Sequence, residues 1–251
     1  MSVFTQAFNI PITQERSVQE TSTLRILCIA HSDFDLSSHI VSWIQDQEHS
    51  LSYCRPFQGE KLPSMEEFDW LMIMGGSQCL LEKERYPFIL EEISFVRLAI
   101  LHKKLVLGFC LGAQIIGESY GQTTERSPHQ EIGIFPIAFT MEAKEDPVLK
   151  DFPPSLNVAH WHQYMPGLTK EATILATSPG CPRQVIRYSP KTYAFQCHPE
   201  VSLQNIQKVI SRHEDLPKGP YIQNKEEFLS GDFSSMKSAI LLILQRISQV
   251  N

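Results

Sequence analysis

The sequence predicts an α/β fold: a three-layer sandwich whose mostly parallel central sheet is flanked by helices, with a small antiparallel strand region added. Through the first half of the chain, short apolar runs alternate with stretches of helical periodicity, the pattern that parallel strands and crossover helices impose. Two of those runs, Trp70–Met74 and Leu105–Phe109, stop at glycines: Gly75-Gly76 after the first, Gly108-Phe109-Cys110-Leu111-Gly112 around the end of the second. Both junctions fall where a doubly wound sheet carries its ligands, beyond the carboxyl ends of its strands.

Taken in order, residues 1–22 are polar with weak periodicity and read as an N-terminal extension ahead of one domain over 23–251. Leu24–Ala30 suits a central strand, and Leu36–Glu48 carries Leu36, Ile40, Val41 and Ile44 at helical spacing. Tyr53 and its neighbours suggest a second strand, 56–63 is loop by composition, and Trp70–Met74 is the next strand. Phe88–His102 is an amphipathic helix feeding the strand Leu105–Phe109, and a further helix runs to about Tyr120, closed by Gly121. From Ile132 onward shorter strand-like pieces follow: Ile134–Met141, Leu156–Trp161, Thr173–Thr177, Gln184–Tyr188 and Thr192–Cys197, the last two joined as a hairpin by Ser189-Pro190-Lys191. His198-Pro199-Glu200 then opens a helix of about a dozen residues from Val201. A C-terminal helical segment over about 216–251 comprises a polar loop, Lys218–Gly231, and an amphipathic helix, Ser235–Val250.

Composition excludes several classes. Lys and Arg total 22 against 28 Asp and Glu, a net charge of −6 with no basic stripe, which argues against nucleic-acid binding. No apolar run approaches a membrane span and no secretory leader pattern opens the chain, so a cytoplasmic protein is expected. Six cysteines lack framework spacing and form no CxxC pair. Neither a cofactor nor a metal is expected; His160 and His162, spaced to share one face of a strand, read as satisfied core or active-site histidines.

Leu105–Gln114 has the form of a nucleophile elbow. An apolar strand turns abruptly into a helix, glycines stand where a Cβ would clash, and Cys110 sits at the tip, in the positive end of the helix dipole that favours a thiolate. A buried cysteine between two packing glycines is the structural alternative. A thiol nucleophile needs a base and a group that orients the base. His198 is the candidate base, since Pro199 keeps it extended. Glu200, two residues on, lies on the same side as the imidazole and is placed to hold its second nitrogen. Cys197 points the other way and reads as core filler, as does Cys79 near the glycine loop. His31, at the end of the first strand, faces the same sheet edge and reads either as a pocket residue or as a surface loop histidine.

Gly75-Gly76-Ser77, Gly108–Gln114 and Gln196-Cys197-His198-Pro199-Glu200, in that order, resemble the class I glutamine amidotransferases, especially the stand-alone branch similar to the amidotransferase domain of GMP synthase. Glu84-Arg85-Tyr86-Pro87, Glu131-Ile132-Gly133, and Trp161-His162 before Met165-Pro166 agree, so that the likeness covers about residues 24–215. It implies a flavodoxin-like fold, with Cys110 as nucleophile, His198 as base and then acid, and Glu200 as the orienting carboxylate. Backbone N–H groups of Gly76 and Leu111 would form the oxyanion hole. Gln114 would hold substrate glutamine, with backbone around Gln163 and Tyr164 taking its α-carboxylate and amine. The implied chemistry is hydrolysis of the glutamine amide through a γ-glutamyl thioester. Where the family has proline after the paired glycines, this chain has Ser77; where it has Gly-Asp after the histidine of the WH stretch, Gln163-Tyr164 stand instead; and Cys197 replaces an aromatic residue. A bulky Gln163-Tyr164 pair narrows the pocket or favours another γ-glutamyl compound, as in γ-glutamyl hydrolases and peptidases. The sequence holds no ATP pyrophosphatase loop and no P-loop, so released ammonia would pass to a separate synthetase. A non-catalytic binding module that kept the fold is the reading from another class.

Overall fold

The computed structural model describes residues 23–32 and 36–250; the expected N-terminal extension lies outside the described residues. One nine-stranded sheet runs in the order β2-β1-β3-β4-β9-β8-β7-β5-β6. Its parallel half comprises β1 (Arg25–Ile29), β2 (Ser50–Cys54), β3 (Trp70–Ile73), β4 (Leu105–Phe109) and β9 (Thr192–Phe195). Its antiparallel half adds β8 (Val185–Ser189), β7 (Thr173–Thr177), β5 (Glu125–Phe139) and β6 (Ser155–Met165). The antiparallel strands therefore continue the main sheet rather than forming a separate patch.

Helices cover both faces, giving the expected three layers. On one face α1 (Ser38–Asp46) and α6 (Phe233–Ile247) bury Ile40, Trp43, Ile240 and Leu244 against Trp70, Leu107 and Tyr193. On the other, α2 (Pro87–Leu101) and α3 (Leu111–Ser119) pack Ile89, Val96, Ile115 and Ile116 against Leu71, Val106 and Ala194. Sandwiched this way, every residue of β3 and β4 is buried, which is why both read as unbroken apolar runs rather than alternating ones.

Three boundaries differ from expectation. β5 begins at Glu125, well before Ile132, because Glu125 and Arg126 already pair with Met165 and Tyr164 before a register shift that ends at Glu131; Pro128 and the polar residues around it disguise this strand as loop. The helix after the HPE stretch, α4 (Leu203–Ile210), starts beyond Val201 because Ser202 caps it: the Ser202 hydroxyl accepts from the Asn205 N–H while the Asn205 side chain accepts from the Ser202 N–H. Inside the expected 218–231 loop, α5 (Lys225–Leu229) forms a short helix, again started by a capping box, Asn224 with Glu227.

Candidate active site

The strands β4 and β9 lie side by side and parallel, so their carboxyl ends deliver Cys110 and His198 to one edge of the sheet. Cys110 has φ 53° and ψ −107°, a backbone conformation costly for a residue with a Cβ. The neighbouring glycines make room for the turn. A Cβ on Gly112 would stand 2.1 Å from the Ile73 carbonyl oxygen, and one on Gly108 2.5 Å from that of Gly112. The strand-to-helix corner thus packs backbone on backbone, and the thiol is held at its tip with the N-terminus of α3 behind it.

His198 reaches the thiol. Its imidazole lies beside Cys110, whose sulfur helps to raise the His198 pKa, and its Nδ1 lies 2.6 Å from Glu200 Oε1. Glu200 is fixed from behind, since its backbone carbonyl accepts from the Ser37 hydroxyl at 2.7 Å. The His198 backbone N–H donates to the Ala159 carbonyl of β6 at 2.8 Å, and the Cys110 thiol faces the Trp161 carbonyl of the same strand at 3.8 Å. Burial pulls the His198 pKa down, but the Glu200 carboxylate and the Cys110 sulfur outweigh it, and the imidazole titrates well above its ordinary value.

These side chains open on a cavity of about 370 Å³. Gly75, Gly76, Cys110, His198 and Glu200 line it, together with an apolar wall that includes Trp161, Ile206 and Val209. Gly75 stands between the reactive pair: a Cβ there would come 3.2 Å from His198 Cε1 and 3.4 Å from Cys110 Cβ. Gly76 abuts Leu111, its absent Cβ lying 2.8 Å from Leu111 Cδ2 and 2.6 Å from His31 Cβ. The two residues expected to form an oxyanion hole are therefore neighbours.

The expected substrate residues are placed differently. Gln114 is buried, and its Nε2 donates to Gln196 Oε1 at 3.1 Å. Gln163 and Tyr164 follow Trp161 on β6 but do not line the cavity; Cys79, on the loop after Gly76, raises the Tyr164 pKa. Cys197 is fully buried, with its thiol 3.8 Å from the Gln184 carbonyl. His31 is neither a pocket nor a surface residue. It is buried with Glu92, Nε2 to Oε2 2.8 Å, and its Nδ1 meets the Met74 carbonyl at 3.0 Å. A second cluster, of which the sequence marked only His160 and His162, lies under β6, where Glu131 joins them as the one group of the described residues with metal-ligand geometry.

A mixed α/β sheet that presents a thiol on a glycine-flanked elbow, with imidazole and carboxylate beside it, has the architecture of the α/β proteins that carry a nucleophile elbow. The family is narrower still. Residues 27–214 match the model of the class-I glutamine amidotransferases, and the chain belongs to that family. It is similar to YfeJ of Salmonella typhimurium, a glutamine amidotransferase-like protein, at 32% identity over 233 residues, 90% of this chain and 98% of that one. The crystal structure of SMU.1228c matches with a TM-score of 0.85 at 37% identity, covering 90% of this chain and 100% of that chain. GMP synthase of Thermosipho africanus is 28% identical over 166 residues, 62% of this chain and 30% of that protein.

Proposed function

We propose that the chain is a cysteine-dependent enzyme that hydrolyses the side-chain amide of glutamine to glutamate and ammonia. The observation that supports this is the series Cys110, His198, Glu200 along one cavity, with the imidazole beside the thiol and bonded to the carboxylate at 2.6 Å. His198 takes the thiol proton as Cys110 Sγ attacks the amide carbon, and the carbonyl oxygen takes up the displaced electron pair. Backbone N–H groups of Gly76 and Leu111 hold that oxyanion. His198 donates its proton to the leaving nitrogen, the C–N bond breaks, and ammonia departs from a γ-glutamyl thioester. Water then attacks the thioester while His198 takes its proton, the C–S bond breaks, and glutamate leaves. Glu200 keeps the imidazole oriented throughout.

Gln114 and the backbone around Gln163 and Tyr164 remain the proposed substrate holders; for Gln114 this requires release of its bond to Gln196. Ammonia would pass to a separate synthetase. Six free cysteines suit the reducing cytoplasm, and among the described residues no helix is long and apolar enough to cross a membrane. Release of ammonia and glutamate by the purified chain, compared with Cys110→Ala, tests the proposal; equal rates in the two would overturn it.

One observation favours a second reading. The cavity beside Cys110 has apolar walls and more room than ammonia needs as a leaving group, which suits a γ-glutamyl conjugate. Turnover of γ-glutamyl dipeptides faster than glutamine would select this alternative.

A further inference from the structure

Glu131 on β5, His160 and His162 on β6, and Gln184 just ahead of β8 meet beneath the sheet edge, all buried. Glu131 Oε2 lies 3.5 Å from His160 Nδ1 and 3.2 Å from His162 Nε2, and the two nitrogens are 3.4 Å apart. The outer nitrogens face backbone carbonyls: His160 Nε2 is 3.3 Å from the Phe135 oxygen, and His162 Nδ1 turns toward that of Tyr164 without a well-formed bond. A nitrogen facing a carbonyl carries the proton, so His160 Nδ1 presents a lone pair, while His162 Nε2 lies against the Glu131 carboxylate. Two imidazole nitrogens and a carboxylate oxygen, each able to give an electron pair to a cation, therefore meet at one point. The Gln184 amide nitrogen, with two hydrogens, lies 2.6 Å from Glu131 Oε2, 2.9 Å from Ser178 Oγ and 3.3 Å from each inner nitrogen. Its own oxygen is buried without a partner. The cluster is short of positive charge and rich in acceptors.

A zinc ion with bonds of about 2.0–2.1 Å spaces its tetrahedral ligands about 3.3–3.4 Å apart. The three edges measured here, 3.2, 3.4 and 3.5 Å, match that spacing. We propose that Glu131, His160 and His162 form a site for a divalent transition-metal ion of the zinc class, with the Gln184 amide, turned so that its oxygen points inward, at the fourth corner. Nitrogen and oxygen donors without sulfur suit zinc or cobalt(II). The surroundings fit as well. His160 has the outer carbonyl contact that orients a ligating imidazole, and the Ser178 hydroxyl donates to Glu131 Oε1 at 2.7 Å. Gly180 leaves the carboxylate its space, since a Cβ there would stand 2.5 Å from Glu131 Cδ. His160 lines the cavity next to Cys110, which offers the ion a way in.

The ligands at 160 and 162 alternate along β6 with the carbonyls of Ala159 and Trp161, which touch His198 and Cys110. The ion would thus be a structural clamp on the strand that backs the reactive pair, and the site stands or falls independently of the reaction proposed at Cys110.

The test uses the full chain carrying Cys110→Ala, which removes the thiol as a competing ligand. After zinc loading and dialysis, elemental analysis is expected to find one zinc per chain. Cobalt(II) loading is expected to give the visible absorption of a tetrahedral site without thiolate-to-metal charge transfer. Glu131→Gln and His162→Gln, added separately, are expected to weaken zinc binding more than about 100-fold. Should those variants fail to fold, zinc-edge X-ray absorption of the Cys110→Ala protein decides, with a first shell of nitrogen and oxygen near about 2.0 Å and no sulfur near about 2.3 Å expected. Zinc well below one per chain, full zinc retention by a folded Glu131→Gln protein, or sulfur in the first shell would overturn the proposal.

Discussion

Two groupings of histidine with glutamate flank β6, and their imidazoles titrate in opposite directions. His198 shares one carboxylate at 2.6 Å and has the Cys110 sulfur on its other side, so added negative charge overcomes burial and raises its pKa. His160 lies 3.5 Å from a carboxylate also shared with His162, Ser178 and Gln184, and burial wins, taking it down to about 3. The same pair of residue types therefore gives an imidazole that holds its proton more firmly at the cavity and one that gives it up more readily beneath it. What separates them is how many groups divide one carboxylate's charge, and how dry the site is.

The comparison breaks most visibly at Cys110. Cys110→Ala is expected to abolish glutamine hydrolysis, whereas it leaves the buried cluster intact, as metal analysis would read. His198→Asn comes next, with a loss of about 10²–10⁴-fold in kcat and no thioester trapped on the sulfur. Glu200→Gln, which keeps shape and removes charge, is expected to cost about 10²-fold and to shift the acidic limb of the pH–rate profile. Gly112→Ala strikes the scaffold instead: its Cβ meets the Ile73 carbonyl, and a loss of about 1–3 kcal/mol, or failure to fold, is expected in denaturant unfolding.

The smallest effect is the most discriminating. His198 titrates above 6.5 when folded, so its contribution to stability is complete below about pH 6.5 and disappears as pH rises through the raised folded value. His160 titrates at about 3 when folded, so its contribution is complete above 6.5 and is lost as pH falls toward 3. Unfolding midpoints measured across pH for His198→Gln and His160→Gln should each remove a slope of at most about 1.4 kcal/mol per pH unit, with opposite signs. Equal signs would mean that the two imidazoles do not differ as described.

The cavity site was largely legible in the sequence because its signals are local. Glycines on either side of Cys110 and the two-residue spacing of His198 and Glu200 are fixed by the geometry of one elbow and one extended segment. The buried cluster was only half legible. The spacing of His160 and His162 placed them on one face, but Glu131 reaches them through the β5–β6 register, where Glu131 lies opposite His162, and that register follows an irregularity hidden by Pro128. Gln184 arrives from yet another strand. Gln114 is a different case, since the family resemblance implies a substrate-holding role, while its bond to the buried Gln196 amide depends on β9 and could not be read from its own stretch. The helix α5 was missed although Asn224 and Glu227 form a capping signature, because the polar residues around them read as loop.

The adjacency of β4 and β9 has a consequence for synthesis. These strands touch in the finished sheet, yet everything from residue 111 to 191 lies between them along the chain. A nascent polypeptide emerges from its N-terminal end, and contacts between distant segments form late. The elbow can thus be translated and packed while β9 is still inside the ribosome, leaving the thiol without its imidazole. Cys110 and His198 therefore meet only when the last strand of the sheet docks.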